Sequence, residues 1–284
     1  MHPKNIHQGQ YNLVKLSVVY PELKHFVFTN EYGTESIDFS KPKAVKTLNT
    51  ALLKLHHDIS YWEFSDSNLC PPIPSRADYL YYLNDLLAES EFKDKKITLL
   101  DIGTGATCIY SLLGNSLFNW EFVASDISEK SLANAQEILD KNSLTNAISL
   151  RKQNRKKLIL EGVILENDYF FASMCNPPFY RSKEEAEKTA KRKLRNLGLD
   201  KSTRNFAGKS NELWYKGGEV AFLKNYIKES VLFQKQVYWF TSLISKSENL
   251  PAIYTALKQV KPKEVKTIEM KQGNKITRFV AWRF

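Results

Sequence analysis

The stretch Ile97-Thr98-Leu99-Leu100-Asp101-Ile102-Gly103-Thr104-Gly105-Ala106 decides the fold. Its apolar, β-favouring start reads as a short strand closed by an acid. Two glycines one residue apart then let the backbone turn sharply, because neither carries a Cβ to obstruct it. A strand ending in Asp-x-Gly-x-Gly and running into a helix near Cys108 makes a loop that approaches a ligand closely. A dinucleotide site has a third glycine three positions after the second, so that helix and strand pack and a helix N-terminus meets the pyrophosphate. Cys108 holds that position here. S-adenosylmethionine has no pyrophosphate, so the missing glycine favours it over a nicotinamide dinucleotide.

Downstream the hydrophobic period alternates between strand and helix. Strand-like runs are read at residues 121–125, 148–151, 169–175, 236–244, 265–270 and 278–282, with helical spacing near 128–142, 220–231 and 250–260. Seven strands with interleaved helices predict an α/β fold with a doubly wound, Rossmann-like sheet, that of a class I S-adenosylmethionine-dependent methyltransferase. Ligands in such sheets bind beyond the carboxyl ends of the strands. Asp126 closes the second strand, where an acid accepts hydrogen bonds from both ribose hydroxyls. Asp101 is placed to orient the amino-acid end of the cofactor, directly or through water. Read alone, Asp126 is also a helix-start residue, since Ser128 and Glu129 follow.

Asn176-Pro177-Pro178-Phe179 follows the fourth strand. The lone pair of an exocyclic nucleobase amine or a carboxamide is delocalised, so it attacks a methyl donor only with help from orientation. The Asn176 side-chain oxygen and the Pro177 carbonyl can each accept one N–H, two prolines stiffen the backbone that carries them, and Phe179 can stack on a ring. The plainer alternative is a Pro-rich turn with Phe179 in the core. Three motifs at three strand ends argue for a methyl-donor site.

At 284 residues and 43% hydrophobic, the chain can bury a sizeable core. It contains no apolar run of membrane-spanning length, and its start, Met1-His2-Pro3-Lys4, does not resemble a signal peptide. With three cysteines in no metal or disulfide spacing, a cytoplasmic protein with reduced thiols is expected. All five histidines lie in the first 57 residues, so the half carrying the motifs has none for a general base or a metal. That excludes Ser/His, Cys/His and zinc chemistry there and suits a metal-free reaction that relies on positioning.

The net charge of +10 points to a polyanionic partner. Five bases and no acid fall within residues 151–157: Arg151, Lys152, Arg155, Lys156 and Lys157. Residues 181–209 hold ten bases against four acids, Arg181, Lys191, Arg192, Lys193 and Arg195 among them. Such clusters beside the Asn-Pro-Pro-Phe turn read as an RNA-binding surface, or as a solvated helix face. Residues 1–75 mix aromatics with bases around two helical stretches and are read as a small, mostly helical RNA-binding module. Residues 71–76, Pro-rich, are read as an extended crossing into the methyltransferase domain, residues 76–284.

The wording of 100–110, with Asn176 to Phe179, Lys216-Gly217-Gly218-Glu219, Gln272-Gly273-Asn274, the closing Arg278-Phe279-Val280-Ala281-Trp282, the opening Met1-His2-Pro3-Lys4-Asn5 and the Ile73 to Tyr79 segment, resembles the RlmF family of bacterial 23S rRNA adenine-N6 methyltransferases. Eukaryotic enzymes related to that family methylate adenine in U6 small nuclear RNA. The resemblance implies S-adenosylmethionine as cofactor and 23S rRNA, naked or in an assembly particle, as partner. It also implies that Arg76 reaches the cofactor carboxylate, that Gly103, Thr107 and Asp126, beside Gly105 and Asn176, contact the cofactor, and that residues 176–179 clamp adenine. Residues 153–157 match a segment that covers the cofactor pocket in relatives. Guanine-N2 and glutamine-N5 methyltransferases share the Asn-Pro-Pro-aromatic turn and stand as alternatives. A noncatalytic RNA-binding assembly factor is the rival of another class.

Overall fold

The computed structural model describes residues 1–90, 92, 95–182, 184, 185, 188, 214–272 and 275–284. Its centre is a seven-stranded sheet in the order β5-β4-β3-β6-β7-β9-β8. The strands are β3 (Thr98–Ile102), β4 (Glu121–Asp126), β5 (Ile148–Lys152), β6 (Phe170–Cys175), β7 (Val237–Ile244), β8 (Glu264–Gln272) and β9 (Lys275–Arg283). The first five in that order run parallel, while β9 is antiparallel to both β7 and β8. From β3 the chain steps outward to β4 and β5, then returns to β6 on the other side of β3. That reversal opens a crevice at the carboxyl ends of β3 and β6. In register, Ile102 pairs with both Ser125 and Cys175, so residues 103, 126 and 176 leave their strands side by side.

The strands read as continuous apolar runs because both faces are covered. Leu99, Phe122, Met174 and Phe279 face one core, shared with α3 (Ile73–Ala88), α4 (Ile109–Phe118) and α5 (Glu129–Lys141). Leu100, Val123, Cys175, Val280 and Trp282 face the other, shared with α6 (Gly218–Ser230) and α7 (Leu250–Val260). Local sequence explains the helices: Ser128 caps α5 by accepting from the Ser131 amide at 3.2 Å, and Ser131, Ala135, Ile138 and Leu139 form its buried stripe.

The N-terminal residues form α1 (Leu13–Val19), a hairpin of β1 (Val27–Thr29) and β2 (Glu35–Ile37), and α2 (Pro42–His57). Leu16, Leu52 and the fully buried Trp62 pack into the same core as Leu99 and Phe122. The extended crossing expected over residues 71–76 ends sooner. Helix α3 begins at Ile73 with Pro74 in its first turn, where a missing N–H leaves no helical bond unmade. Arg76 therefore sits on a helix, and residues 75 and 76 both lie in its first turn.

A buried chain of hydroxyls ties this helix to the sheet. Tyr79 bonds Thr241 at 2.7 Å, Thr241 donates to the Ser173 carbonyl at 2.9 Å, and Ser173 bonds Tyr226 at 2.6 Å. It fixes α3 against β6 just behind Arg76 and Asn176. Cys70, Cys108 and Cys175 are free thiols, and no described helix is long and apolar enough to cross a membrane. Gly273 and Asn274 lie outside the described residues.

Candidate active site

The glycine loop is tied to its neighbouring strand. The amides of Gly103 and Thr104 both donate to the Ser125 carbonyl at 2.9 Å. Gly103 and Gly105 take φ of +74° and +67°, the left-handed region that a Cβ disfavours. A Cβ built on either meets nothing within 4 Å, so bare space lies along the loop.

Asp126 is the helix-start residue that its spacing suggested. One carboxylate oxygen accepts the Gly105 amide at 3.0 Å and the other the Ser128 amide at 2.7 Å, so the acid joins the loop to the start of α5. Each oxygen keeps a further lone pair for an incoming hydroxyl. Burial raises the Asp126 carboxyl, and the amide hydrogen bonds oppose the rise. Asp101, only 1% exposed, is pushed up to about 6 by burial, with hydroxyl hydrogen bonds holding it back, among them Ser111 at 3.2 Å.

Arg76 lies with its guanidinium 5.5 Å from the centre of the Tyr110 ring. Its Nε is buried and has no hydrogen-bond partner among the described residues. An unfilled buried donor on a cation is costly and is satisfied by an anionic group. Thr107 is also buried, and its carbonyl accepts from Trp62 Nε1 at 3.0 Å, so the N-terminal residues help hold the loop.

Two compartments meet at Gly103 and Asn176. One is bordered by Asp126, Ile127, Gln153, Leu158, Ile159 and Phe222. The other is bordered by Arg76, Gly105, Thr107, Tyr110, Pro177 and Phe179. Pro178 lines the first. Asn176 is half-buried, and its amide makes no hydrogen bond to a described residue. Phe179 is likewise half-buried and stacks on no described ring.

Sequence reasoning missed Trp214 and Tyr215. Tyr180 forms a β-bridge with Trp214, and the Tyr215 amide donates to the Tyr180 carbonyl at 3.0 Å, which brings both aromatics to the first compartment. The available signal was an aromatic pair just ahead of Lys216-Gly217-Gly218-Glu219. That segment opens α6. A Cβ on Gly218 would lie 2.9 Å from Arg181 Cγ, so the glycine lets the chain after Phe179 pack closely. Glu219 is buried and accepts from the Ser245 amide at 2.8 Å and Asn249 Nδ2 at 2.5 Å, fixing α6 to the loop after β7.

The first basic cluster is less free than its composition suggested. Arg151 binds both oxygens of Asp168 and donates to the Val163 carbonyl at 2.9 Å. Lys152 pairs with Glu129 at 2.8 Å and Arg155 with Glu161 at 2.9 Å. Lys156, bordering the first compartment, and Lys157 are exposed and make no ion pair among the described residues. Arg181 is exposed beside the Asn-Pro-Pro-Phe turn. Lys183, Lys191, Arg192, Lys193, Arg195, Lys201, Arg204 and Lys209 lie outside the described residues. Among the described residues no group of three or more His, Cys, Asp and Glu could hold a metal.

A glycine loop after the first strand of a seven-stranded sheet, an acid closing the second and Asn-Pro-Pro-Phe closing the fourth define a class I S-adenosylmethionine-dependent methyltransferase. The bare space along Gly103 and Gly105 and the unfilled Arg76 Nε suit that cofactor. The profile of the family described as RNA methyltransferase matches residues 1–284, and the chain belongs to that family. It is 49% identical over 286 residues to ribosomal RNA large subunit methyltransferase F of Christiangramia forsetii, with all of both chains covered. It is also 49% identical over 288 residues to the protein of that name from Pectobacterium atrosepticum, covering 100% of this chain and 93% of the other. The METTL16 catalytic domain in complex with MAT2A 3'UTR hairpin 6 superposes with a TM-score of 0.84 at 28% identity, covering 100% and 97% of the two chains. The N-terminal domain of human METTL16 in complex with SAH does so with a TM-score of 0.81 at 27% identity, covering 100% and 98%. The chain is thus an S-adenosylmethionine-dependent RNA methyltransferase.

Proposed function

We propose that this enzyme methylates the N6 amine of an adenine in 23S rRNA of the large ribosomal subunit, in the cytoplasm. The observation that carries this reading is the Asn176 amide, which makes no hydrogen bond to a described residue where the two compartments meet and is followed by Pro177, Pro178 and a Phe179 ring that stacks on no described ring. The names of the relatives supply the ribosomal RNA, and the family resemblance supplies adenine.

S-adenosylmethionine, when bound, supplies an electrophilic methyl group on a sulfonium. Arg76 would reach its carboxylate, Asp126 its ribose and Asp101 its amino-acid end, and Gly103, Gly105 and Thr107 would line its path. The Asn176 oxygen and the Pro177 carbonyl accept the two N6 hydrogens and turn the nitrogen lone pair toward the methyl group. Phe179 stacks on an adenine turned out of its surroundings. Methyl transfer to the nitrogen held this way would leave it cationic, and its proton would pass to water. Catalysis is then mostly proximity and orientation, which explains why the motif half has no histidine.

For the RNA, Lys156, Lys157 and Arg181 provide phosphate contacts around the cleft. Residues 1–75 serve as the RNA-binding module, with Phe28, Tyr32 and Phe39 exposed, and residues 76–284 as the catalytic domain.

Incubation with labelled cofactor and 23S rRNA from cells lacking the enzyme, followed by digestion and mass analysis of the nucleosides, tests the proposal. N6-methyladenosine is the expected product. N2-methylguanosine moves the acceptor, and label on protein alone rejects an RNA substrate.

A further inference from the structure

The first compartment owes a wall to a segment that belongs to no motif. After β5 the chain runs through residues 153–161 with no helix or strand of its own, yet Gln153, Leu158 and Ile159 line the cleft opposite Phe222 of α6. Such a segment needs side chains to hold it, because its backbone groups have no ladder to join.

Two buried side chains do so. Gln153 closes the segment on itself: its Oε1 accepts the Arg155 amide at 2.8 Å and its Nε2 donates to the Glu161 carbonyl at 2.9 Å. Glu229 reaches in from α6, about two helical turns beyond Phe222. Its carboxylate accepts the amides of Ile159 at 3.0 Å, Leu160 at 2.8 Å and Glu161 at 3.2 Å. Three successive amides converging on one anion form a nest, here filled by the chain's own acid. Charge-assisted bonds of this kind are stronger than neutral ones, and loss of the anion leaves two buried amides and one part-buried amide unpaired.

The Ile159 amide meets both Glu229 oxygens, so Glu229 fixes the backbone of a residue that lines the cleft. Ile127, Leu158 and Ile159 give this compartment apolar walls beyond Asp126, a shape suited to a flat heteroaromatic ring. We propose that Glu229 is a positioning residue for the cofactor. Without touching it, Glu229 holds residues 158–161 at the spacing from α6 that the ring end of S-adenosylmethionine needs. Gln153 is its partner in that task. This inference rests on reading the first compartment as the ring end of the cofactor site.

The test compares Glu229→Gln, Glu229→Ala and Gln153→Ala with wild type and with Asp126→Ala. The readouts are calorimetric binding of S-adenosylhomocysteine, KM for S-adenosylmethionine against kcat, RNA affinity and thermal midpoint. A glutamine keeps the shape but turns an NH2 donor toward amide donors, so Glu229→Gln raises the Kd and the cofactor KM about tenfold or more. At saturating cofactor kcat stays near wild type, and RNA affinity does not change. Gln153→Ala reproduces the same KM-selective defect and carries the test if the Glu229 variants fail to fold. If Asp126→Ala weakens product binding while the Glu229 and Gln153 variants lose only thermal stability, the inference is overturned. If Asp126→Ala itself binds as wild type does, the assignment of the cleft to the cofactor fails first.

Discussion

Asp101→Asn isolates the energetic consequence of burying an acid beneath the glycine loop. The Asp101 carboxyl has an ordinary value of 3.8, and burial lifts it to about 6 in the folded protein. Between those values the folded state holds a proton that the unfolded state has released. Stability therefore falls as pH rises through this window and stays low above it. The gap corresponds to about 3 kcal/mol at neutral pH, a cost of keeping the charged acid buried. An amide of the same shape does not ionise, and the Ser111 hydroxyl 3.2 Å away can accept from it. Urea unfolding of the cofactor-free protein, measured from about pH 4.5 to 8, should favour Asn by only about 1 kcal/mol at the acid end. Asn should become the more stable by about 3 kcal/mol at the alkaline end. Other acids titrate in the same range, so the difference between the two curves is the quantity to follow. S-adenosylhomocysteine should bind the variant more weakly, and wild-type affinity should improve as pH rises through 6 while that of the variant does not. Parallel stability curves, with a constant difference across the range, would mean that Asp101 is not the acid held at a raised value.

Gly103→Ala places a methyl group in the bare space along the loop at a backbone angle that L-residues avoid, so cofactor affinity drops about tenfold or more while the unfolding free energy falls by only about 1–2 kcal/mol; calorimetry and urea unfolding report the two effects. Trp62→Phe removes the donor to the Thr107 carbonyl and leaves it buried without that partner, which lowers stability by about 1–3 kcal/mol in denaturant unfolding. Arg151→Ala breaks a partly buried pair with Asp168 and destabilises by on the order of 1–3 kcal/mol, without altering how RNA affinity depends on salt. Lys157→Ala does the reverse: unfolding is unchanged, and the slope of log affinity against log salt falls by about 1.

Much of the fold was legible because it is local. Short apolar runs marked the strands of the large sheet, and 3.6-residue periods marked helices flanking it. The glycine loop and the Asn-Pro-Pro-Phe turn carried their chemistry in adjacent residues. The misses are of two kinds. The hairpin β1–β2 has strands of three residues each, too short for alternation to register, and Pro74 looked like a helix breaker although in a first turn it is not. The other misses depend on contacts between distant residues. Arg151 looked like a phosphate ligand until the fold placed Asp168 against it, and nothing near Glu229 announces that it will receive the amides of Ile159, Leu160 and Glu161. Trp214 and Tyr215 gained their place only through pairing with Tyr180. Composition counts charge; only the fold says which charges are already matched.

The clamp on the acceptor amine is decided by one variant. Asn176→Ala, assayed in single turnover with saturating cofactor and 23S rRNA and checked for S-adenosylhomocysteine binding, should bind the product near normally. Its methyl transfer should fall about hundredfold or more, because the amine keeps its place near the cofactor but loses its orientation. Near-normal transfer by this variant would contradict the clamp and leave the Asn176 amide without a catalytic role.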